Sequence, residues 1–318
     1  MRDLYGRNIT YLRLSVTDLC NLRCRYCMPE TGVCKKNHSD MLTEDEMIDV
    51  VKAAASLGIK KIRITGGEPL VKPNILSICE RAASVNGIEE LCITTNGILL
   101  PKMAKQLRDA GVNRVNISID TLDDKKYRYI TRFGDLSTAL KGLETAVDVG
   151  FDYVKINTVL IGGFNDDEID DFVKLTLHNT LDVRFIELMP MYSGGYFDEY
   201  SFISADIVLN MYKNKLIPCD SGSGVAGIYK IQDAKGRIGL IRQDVNHICA
   251  KCNRIRVTAD GKIKPCLHSP QEISLKGLNQ EQMKEKIALG IKKKPRQHKD
   301  MNFKIISGAG RYMNQIGG

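Results

Sequence analysis

Between Tyr11 and about Glu187, short apolar runs rich in β-branched residues alternate with longer stretches whose apolar positions recur at helical period. The runs at 12–16, 61–65, 91–95, 114–119, 153–160 and 184–188 read as strands. Each is mostly apolar, the character of parallel strands covered on both faces. Helices are expected at 43–56, 73–83, 101–110, 137–149 and 167–178. Thr43 and Glu46 have capping-box spacing, Pro73 and Pro101 suit first-turn positions, and Gly58, Gly111 and Gly150 stand where left-handed caps end helices. Six βα units fall short of the eight that close a TIM barrel. The expected fold is therefore α/β, a partial open (β/α)6 TIM-like barrel, with a doubly wound sheet as the other arrangement this rhythm allows. Both place ligands at the carboxyl ends of the strands. Gly66-Gly67-Glu68-Pro69, Thr94-Thr95-Asn96-Gly97, Ser118-Ile119-Asp120, Asn157 and Glu187-Leu188-Met189-Pro190 fall there.

After Pro218 the rhythm ends. A turn-rich Ser221-Gly222-Ser223-Gly224, short strands around Tyr229 and Leu240, a cysteine-containing section and a lysine-rich helical stretch follow. The expected division is a barrel over 1–218 and a smaller C-terminal region over 219–318 that ends in Gly317-Gly318. Hydrophobic residues make up 43% and charged residues 26% of the 318, so a disordered or fibrous chain is excluded. No stretch approaches the ~18 apolar residues of a membrane helix. A soluble, cytoplasmic protein with no membrane partner is expected. The net charge of +8 is modest, and no basic amphipathic stripe interleaved with aromatics marks a nucleic-acid partner. The run Lys292-Lys293-Lys294-Pro295-Arg296, with Lys299, reads as a solvated face.

Ten cysteines in a chain without a secretory signal point to metal or catalytic use rather than disulfides. Cys20, Cys24 and Cys27 lie within eight residues, directly after the first strand. Such a loop can wrap three thiolates around an iron–sulfur cluster and leave one iron open to a small molecule. A zinc site completed by Cys34 or His38 is the blander alternative, and its spacing is unusual for zinc. Cys249, Cys252 and Cys266 form a second set of three. On spacing alone these serve a Cys3His zinc site with His268 or His247 as well as a second cluster. Cys79 and Cys92 sit in apolar contexts and read as small core residues, while Cys34 and Cys219 have no assigned role.

The Cys-x3-Cys-x2-Cys loop, with Tyr26 before its last cysteine, together with Gly66-Gly67-Glu68-Pro69, resembles the radical S-adenosylmethionine (SAM) superfamily. Within it, Arg13-Leu14-Ser15-Val16-Thr17-Asp18, the segment from Cys252 to Gly261 followed by Cys266-Leu267, and the Met313-to-Gly318 end resemble the GTP 3′,8-cyclases that begin molybdenum cofactor synthesis. Leu19 and Leu22 stand where that family often has Arg and Phe.

The resemblance implies two [4Fe-4S] clusters, held by Cys20, Cys24 and Cys27 and by Cys249, Cys252 and Cys266, with SAM on the first. It implies SAM contacts at Tyr26, Gly67, Ser118 and Met189. GTP contacts are implied at Arg13, Arg63, Thr94, Lys155, Arg254, Ile255 and Arg256, with Lys61 and Arg184 as further candidates. Guanidinium forks suit phosphate, and alternation along a strand lets Arg254 and Arg256 face one side. Gly317 and Gly318 are expected to enter the barrel and act near the reacting centre. An electron donor, a homodimer and a downstream cyclic pyranopterin monophosphate synthase are the inherited partner expectations. A peptide-modifying radical SAM maturase and a zinc-dependent nucleic-acid-binding protein are the competing readings.

Overall fold

The computed structural model describes residues 1–34, 36–191, 201–220, 224–243, 248–298 and 307–317. Six parallel strands, β1 (Tyr11–Ser15), β2 (Lys61–Thr65), β3 (Glu90–Thr95), β4 (Arg114–Ser118), β5 (Tyr153–Leu160) and β6 (Leu181–Glu187), pair in sequence order. Sequential order means that every crossover steps the same way, which builds a barrel wall. A doubly wound sheet would reverse direction at a switch point, and this one does not. The helices α1 (Glu44–Ser56), α2 (Ile75–Ala83), α3 (Leu100–Asp109), α4 (Asp124–Thr131), α5 (Leu136–Val149) and α6 (Ile169–His178) cover the outer face.

Local chemistry accounts for the helix ends. Thr43 accepts the Glu46 N–H while Glu46 returns a bond to the Thr43 N–H, completing the expected box on α1. α5 ends on Gly150 in the left-handed conformation. α4 was not legible in the sequence: it buries only Tyr127, Ile130 and Thr131 among its charged residues, and Asp123 caps it by accepting the Lys126 N–H. β6 starts three residues earlier than the pattern suggests. Asp182, a poor strand former, sits inside it because its carboxylate is held by Lys155 and Arg237.

The other strands and α-helices of the described residues are α7 (Asp206–Met211), β7 (Leu216–Cys219), β8 (Gly227–Ile231), β9 (Ile238–Ile241), β10 (Arg254–Val257), β11 (Lys262–Lys264), β12 (Ile273–Ser274), α8 (Gln280–Lys292) and α9 (Met313–Ile316). The C-terminal strands join both free edges of the barrel wall. β10 adds parallel to β1, and β9 adds parallel to β6. The result is one twelve-stranded sheet in the order β12-β11-β10-β1-β2-β3-β4-β5-β6-β9-β8-β7, with no pairing that closes it among the described residues.

The hydrophobic core lies between the sheet's outer face and the helices. Leu12, Leu14, Ile62, Ile64, Leu91, Ile93, Val115, Ile117, Val154 and Ile156 point outward into it. The residues between them point inward and are mostly polar. A TIM barrel fills its interior with branched aliphatic layers; here Tyr11, Arg13 and Ser15, then Lys61, Arg63 and Thr65, then Arg114, Asn116 and Ser118 occupy those positions. The strands thus have one apolar face, which corrects the expectation of apolar character on both.

Helix packing is close where α5 crosses the loop after β3. A Cβ on Gly142 would stand 2.3 Å from the Gly97 carbonyl oxygen. Gly142→Ala is expected to destabilise the protein by about 1–3 kcal/mol through this overpacking. Urea-unfolding midpoints, with exposed Lys141→Ala as a control near wild type, check this.

Candidate functional site

Strand direction sets the two thiol groups at opposite ends of one barrel. Cys20, Cys24 and Cys27 follow Ser15, at the carboxyl end of β1. Arg254, the first residue of β10, pairs with Tyr11, the first residue of β1, so Cys249 and Cys252 lie at the amino end. The β10–β11 hairpin then folds back with Arg256 opposite Lys264 and returns Cys266 to the same end. The four residue steps of β1 separate the ends by roughly 13 Å at ~3.3 Å per residue. Between them lies a cavity of about 680 Å3.

The first thiol loop is tied on both sides. Arg23 and Arg25 donate backbone N–H bonds to Thr131 and Ile130 at the end of α4. Gly67 N–H donates to Thr17 O at 2.7 Å and Glu68 N–H to Leu19 O at 2.8 Å. The approach is too close for a side chain, since a Cβ on Gly67 would stand 2.3 Å from Leu19 O. Glu68 is buried and accepts from Leu70 N, Asn96 N and Thr95 Oγ1, so its carboxylate organises the loops after β2 and β3. Burial nevertheless pushes its carboxyl up to about 7. The Tyr26 hydroxyl donates to Asp120 Oδ2 at 2.7 Å and fixes the ring beside Cys24 and Cys27.

Three cysteines on one short loop can supply the thiolates an iron–sulfur cluster takes, and the Leu22 N–H already donates to Cys20 Sγ at 3.3 Å. Burial pushes the Cys20 thiol up to about 11 and the Cys27 thiol up to about 12, so a cation must displace protons to bind there. Among the described residues no three His, Cys, Asp or Glu side chains close around a point as a single ion requires. A four-iron cluster spreads its thiolates over different irons, so it does not require three side chains to converge on one point. Cys34 is exposed, and His247 lies outside the described residues. His268 is neutral, pushed down to about 3 by burial and His298, and its Nδ1 lies 3.0 Å from Ser307 Oγ.

At the second thiol set, burial alone would raise Cys252, but Arg254 and Lys294 outweigh it and hold the thiol at about 6. In the lysine run Lys299 lies outside the described residues and Lys292, Lys293 and Arg296 are exposed, as expected of a solvated face, but Lys294 is not. It is 4% exposed and donates to Arg254 O and Pro265 O at 2.9 and 3.0 Å. Arg7, which sequence reasoning passed over, donates to Cys249 O at 2.8 Å and to the carbonyls of Pro295 and Arg296. No motif marked either residue, because both act on backbone carbonyls.

The cavity wall is cationic. Among the described residues lining it are eleven arginines and lysines against three carboxylates. Every expected GTP contact except Ile255 lines it, and so do Lys61 and Arg184. Ile255 packs in the hydrophobic core, as alternation between Arg254 and Arg256 demands, leaving only its main chain for the site. Arg63 donates to the Tyr11 hydroxyl, to Ile93 O and to Thr94 Oγ1. Lys155 donates to Asp182 Oδ2 at 3.0 Å and is pushed down to about 8 by burial and by Arg184. Of the expected SAM contacts, Tyr26, Gly67, Ser118 and Met189 all line the cavity on its first-thiol side. Gly317 reaches the same interior: Arg256 Nη1 donates to its carbonyl at 2.6 Å. Gly318 lies outside the described residues. Cys79 is a core residue as expected, whereas the Cys92 thiol donates to Glu90 in the polar interior.

The radical SAM superfamily model matches residues 14–176, and the Molybdenum Cofactor Synthesis C model matches 181–300. GTP 3′,8-cyclase from Alkaliphilus oremlandii is 48% identical over the whole of both chains. That of Peptoclostridium acidaminophilum is 48% identical over 99% of this chain and 98% of its own. The chain belongs to the GTP 3′,8-cyclase family of the radical SAM superfamily. Streptococcus suis SuiB bound to S-adenosylmethionine superposes with a TM-score of 0.63 at 15% identity, covering 84% of this chain and 63% of that one. Methylornithine synthase does so with a TM-score of 0.51 at 17% identity, covering 65% and 63%. These two likenesses concern the fold alone.

For a cyclase-family chain the close approach at Gly67 has a direct consequence. Gly67→Ala is expected to push apart the two loops that shape the first thiol set. Iron per chain after anaerobic reconstitution should fall by about half, with the second set still loaded. Unchanged iron would show that the loops absorb the methyl group.

Proposed function

We propose that this chain converts GTP to (8S)-3′,8-cyclo-7,8-dihydroguanosine 5′-triphosphate, the first step of molybdenum cofactor biosynthesis. Membership of the cyclase family over the full chain carries this reading, and a cationic cavity between two thiol sets supports it. When bound, the cluster and SAM at Cys20, Cys24 and Cys27 supply a 5′-deoxyadenosyl radical that takes hydrogen from the ribose C3′. The protein binds, orients and shields.

Tyr26, Gly67, Ser118 and Met189 would hold SAM at the carboxyl end of the barrel. Arg254 and Arg256, with the main chain of Ile255, would hold the nucleotide beside the cluster at Cys249, Cys252 and Cys266. Arg13, Arg63, Thr94 and Lys155 offer cations and a hydroxyl to the triphosphate along the wall, where guanidinium forks bind phosphate oxygens in pairs. Fixing sugar and base between opposite ends of the barrel supplies orientation, so ring closure needs no further search. The tail at Gly317 and Gly318 would complete the wall around the reacting carbon. In this reading residues 1–218 form the barrel and 219–318 the auxiliary-cluster region. An electron donor, a homodimer, a cytoplasmic setting and a downstream cyclic pyranopterin monophosphate synthase complete the proposal. No helix among the described residues is long and apolar enough to cross a membrane.

Reduced, reconstituted protein given SAM and GTP should yield 5′-deoxyadenosine together with a cyclised nucleotide. 5′-Deoxyadenosine formed with a peptide and not with GTP would overturn the proposal.

Lys155 makes GTP binding depend on pH. Its pKa of about 8 in the free protein rises when a triphosphate lies beside it. Below pH 8 the ammonium is present before and after binding; above it, binding must take up a proton. GTP affinity should therefore fall as pH rises from 7.5 to 9.5, by up to about tenfold per unit, and Lys155→Met should flatten that slope. Equilibrium titration across this range decides it.

A further inference from the structure

A chain end is ordinarily the least ordered part of a protein, yet residues 307–317 are bonded into the barrel along their length. Ser307 N–H donates to Pro190 O at 2.7 Å. Lys264, fully buried, donates to Ala309 O at 3.1 Å. Arg311 lays its guanidinium across two carboxylates. Its Nη1 and Nη2 meet Asp260 Oδ1 and Oδ2 at 3.0 Å each, and its Nε and Nη2 meet Glu272 Oε1 and Oε2 at 2.6 and 2.7 Å. Asp260 is itself held by Lys36 and by the Thr258 hydroxyl. Beyond Arg311, Asn314 Nδ2 donates to Asp18 O at 2.8 Å, Ile316 packs with Met191 and Ala309, and Arg256 takes the Gly317 carbonyl.

Arg311 touches neither thiol set and does not line the cavity. Its four charge-assisted bonds nevertheless fix the chain six residues before Gly317. A short tether confines a chain tip far more than a long one does. Resting on the cyclase reading, we propose that Arg311, clamped by Asp260 and Glu272, is a positioning residue that delivers the glycine tip to the reacting centre. Lysine can replace it only in part, because one ammonium cannot span two carboxylates in a plane.

Hydrogen exchange of the C-terminal peptide in the reconstituted full-length protein tests this, alongside iron content, SAM and GTP affinities and product yield. Arg311→Ala should lose exchange protection over 307–317 and lose at least about tenfold in cyclised product, with iron and both affinities kept. Arg311→Lys should fall between that variant and wild type. Glu272→Gln, which changes charge and hardly volume, should move both readouts the same way by less, and it serves if Arg311→Ala does not fold. A tail still protected in Arg311→Ala, full cyclisation with an exposed tail, or loss of iron together with the tail would each overturn the proposal. The exchange readout needs no nucleotide. Its failure is therefore distinct from failure of the cyclase reading, which shows as unsubstituted protein that makes no cyclised nucleotide.

Discussion

Positive charge held inside a barrel is the constraint on which the rest of this structure depends. Desolvation penalises a buried guanidinium or ammonium unless an anion answers it. Burial pushes Arg13 and Arg184 down to about 10, and Arg256 well below its ordinary value, with neighbouring cations adding to the shift in each case. Among the described residues Tyr11 faces Arg63, Glu90 bridges Lys61 and Arg114, and Asp182 bridges Lys155 and Arg237. These leave a surplus that a polyanion can neutralise. Stability must come from elsewhere, and it comes from the aliphatic outer face of the same strands against the helices.

This division of labour follows from the two-residue period of a strand. Inward positions carry most of the chemistry and outward positions the core, so one strand serves both. It also shows what could be read in advance. The βα rhythm, the six strands, the two cysteine triples and the Arg254/Arg256 pair were legible, because each is a local pattern in the chain. The polar inner face was legible in principle from Tyr11-x-Arg13-x-Ser15 and Lys61-x-Arg63-x-Thr65. The apolar residues that alternate with it along each strand mask it.

What could not be read was long-range. Spacing leaves open whether Cys249, Cys252 and Cys266 are near the first triple or far from it. Only the parallel pairing of β10 with β1 puts them at the opposite end of the barrel. Nor could sequence distinguish Lys294 from the lysines beside it, since its burial depends on carbonyls supplied by Arg254 and Pro265. Arg7 is the same case from the other terminus: its value lies in three carbonyls more than 240 positions away.

The C-terminal tail meets the charge constraint and the packing constraint at once. Arg256 is expected to face the nucleotide, yet it also donates to the Gly317 carbonyl at 2.6 Å. A carbonyl dipole answers part of the buried charge without the full attraction of a carboxylate, so the guanidinium keeps donors for phosphate or base. Gly317 reaches it in the left-handed conformation at φ 80°, and a Cβ there would stand 2.5 Å from Thr65 Oγ1. A side chain at this point would therefore be strained and would collide with the inner face of β2. Glycine is required because Ser15 and Thr65, polar residues of the same inner face that lines the cavity, already occupy the space a side chain would take at this point.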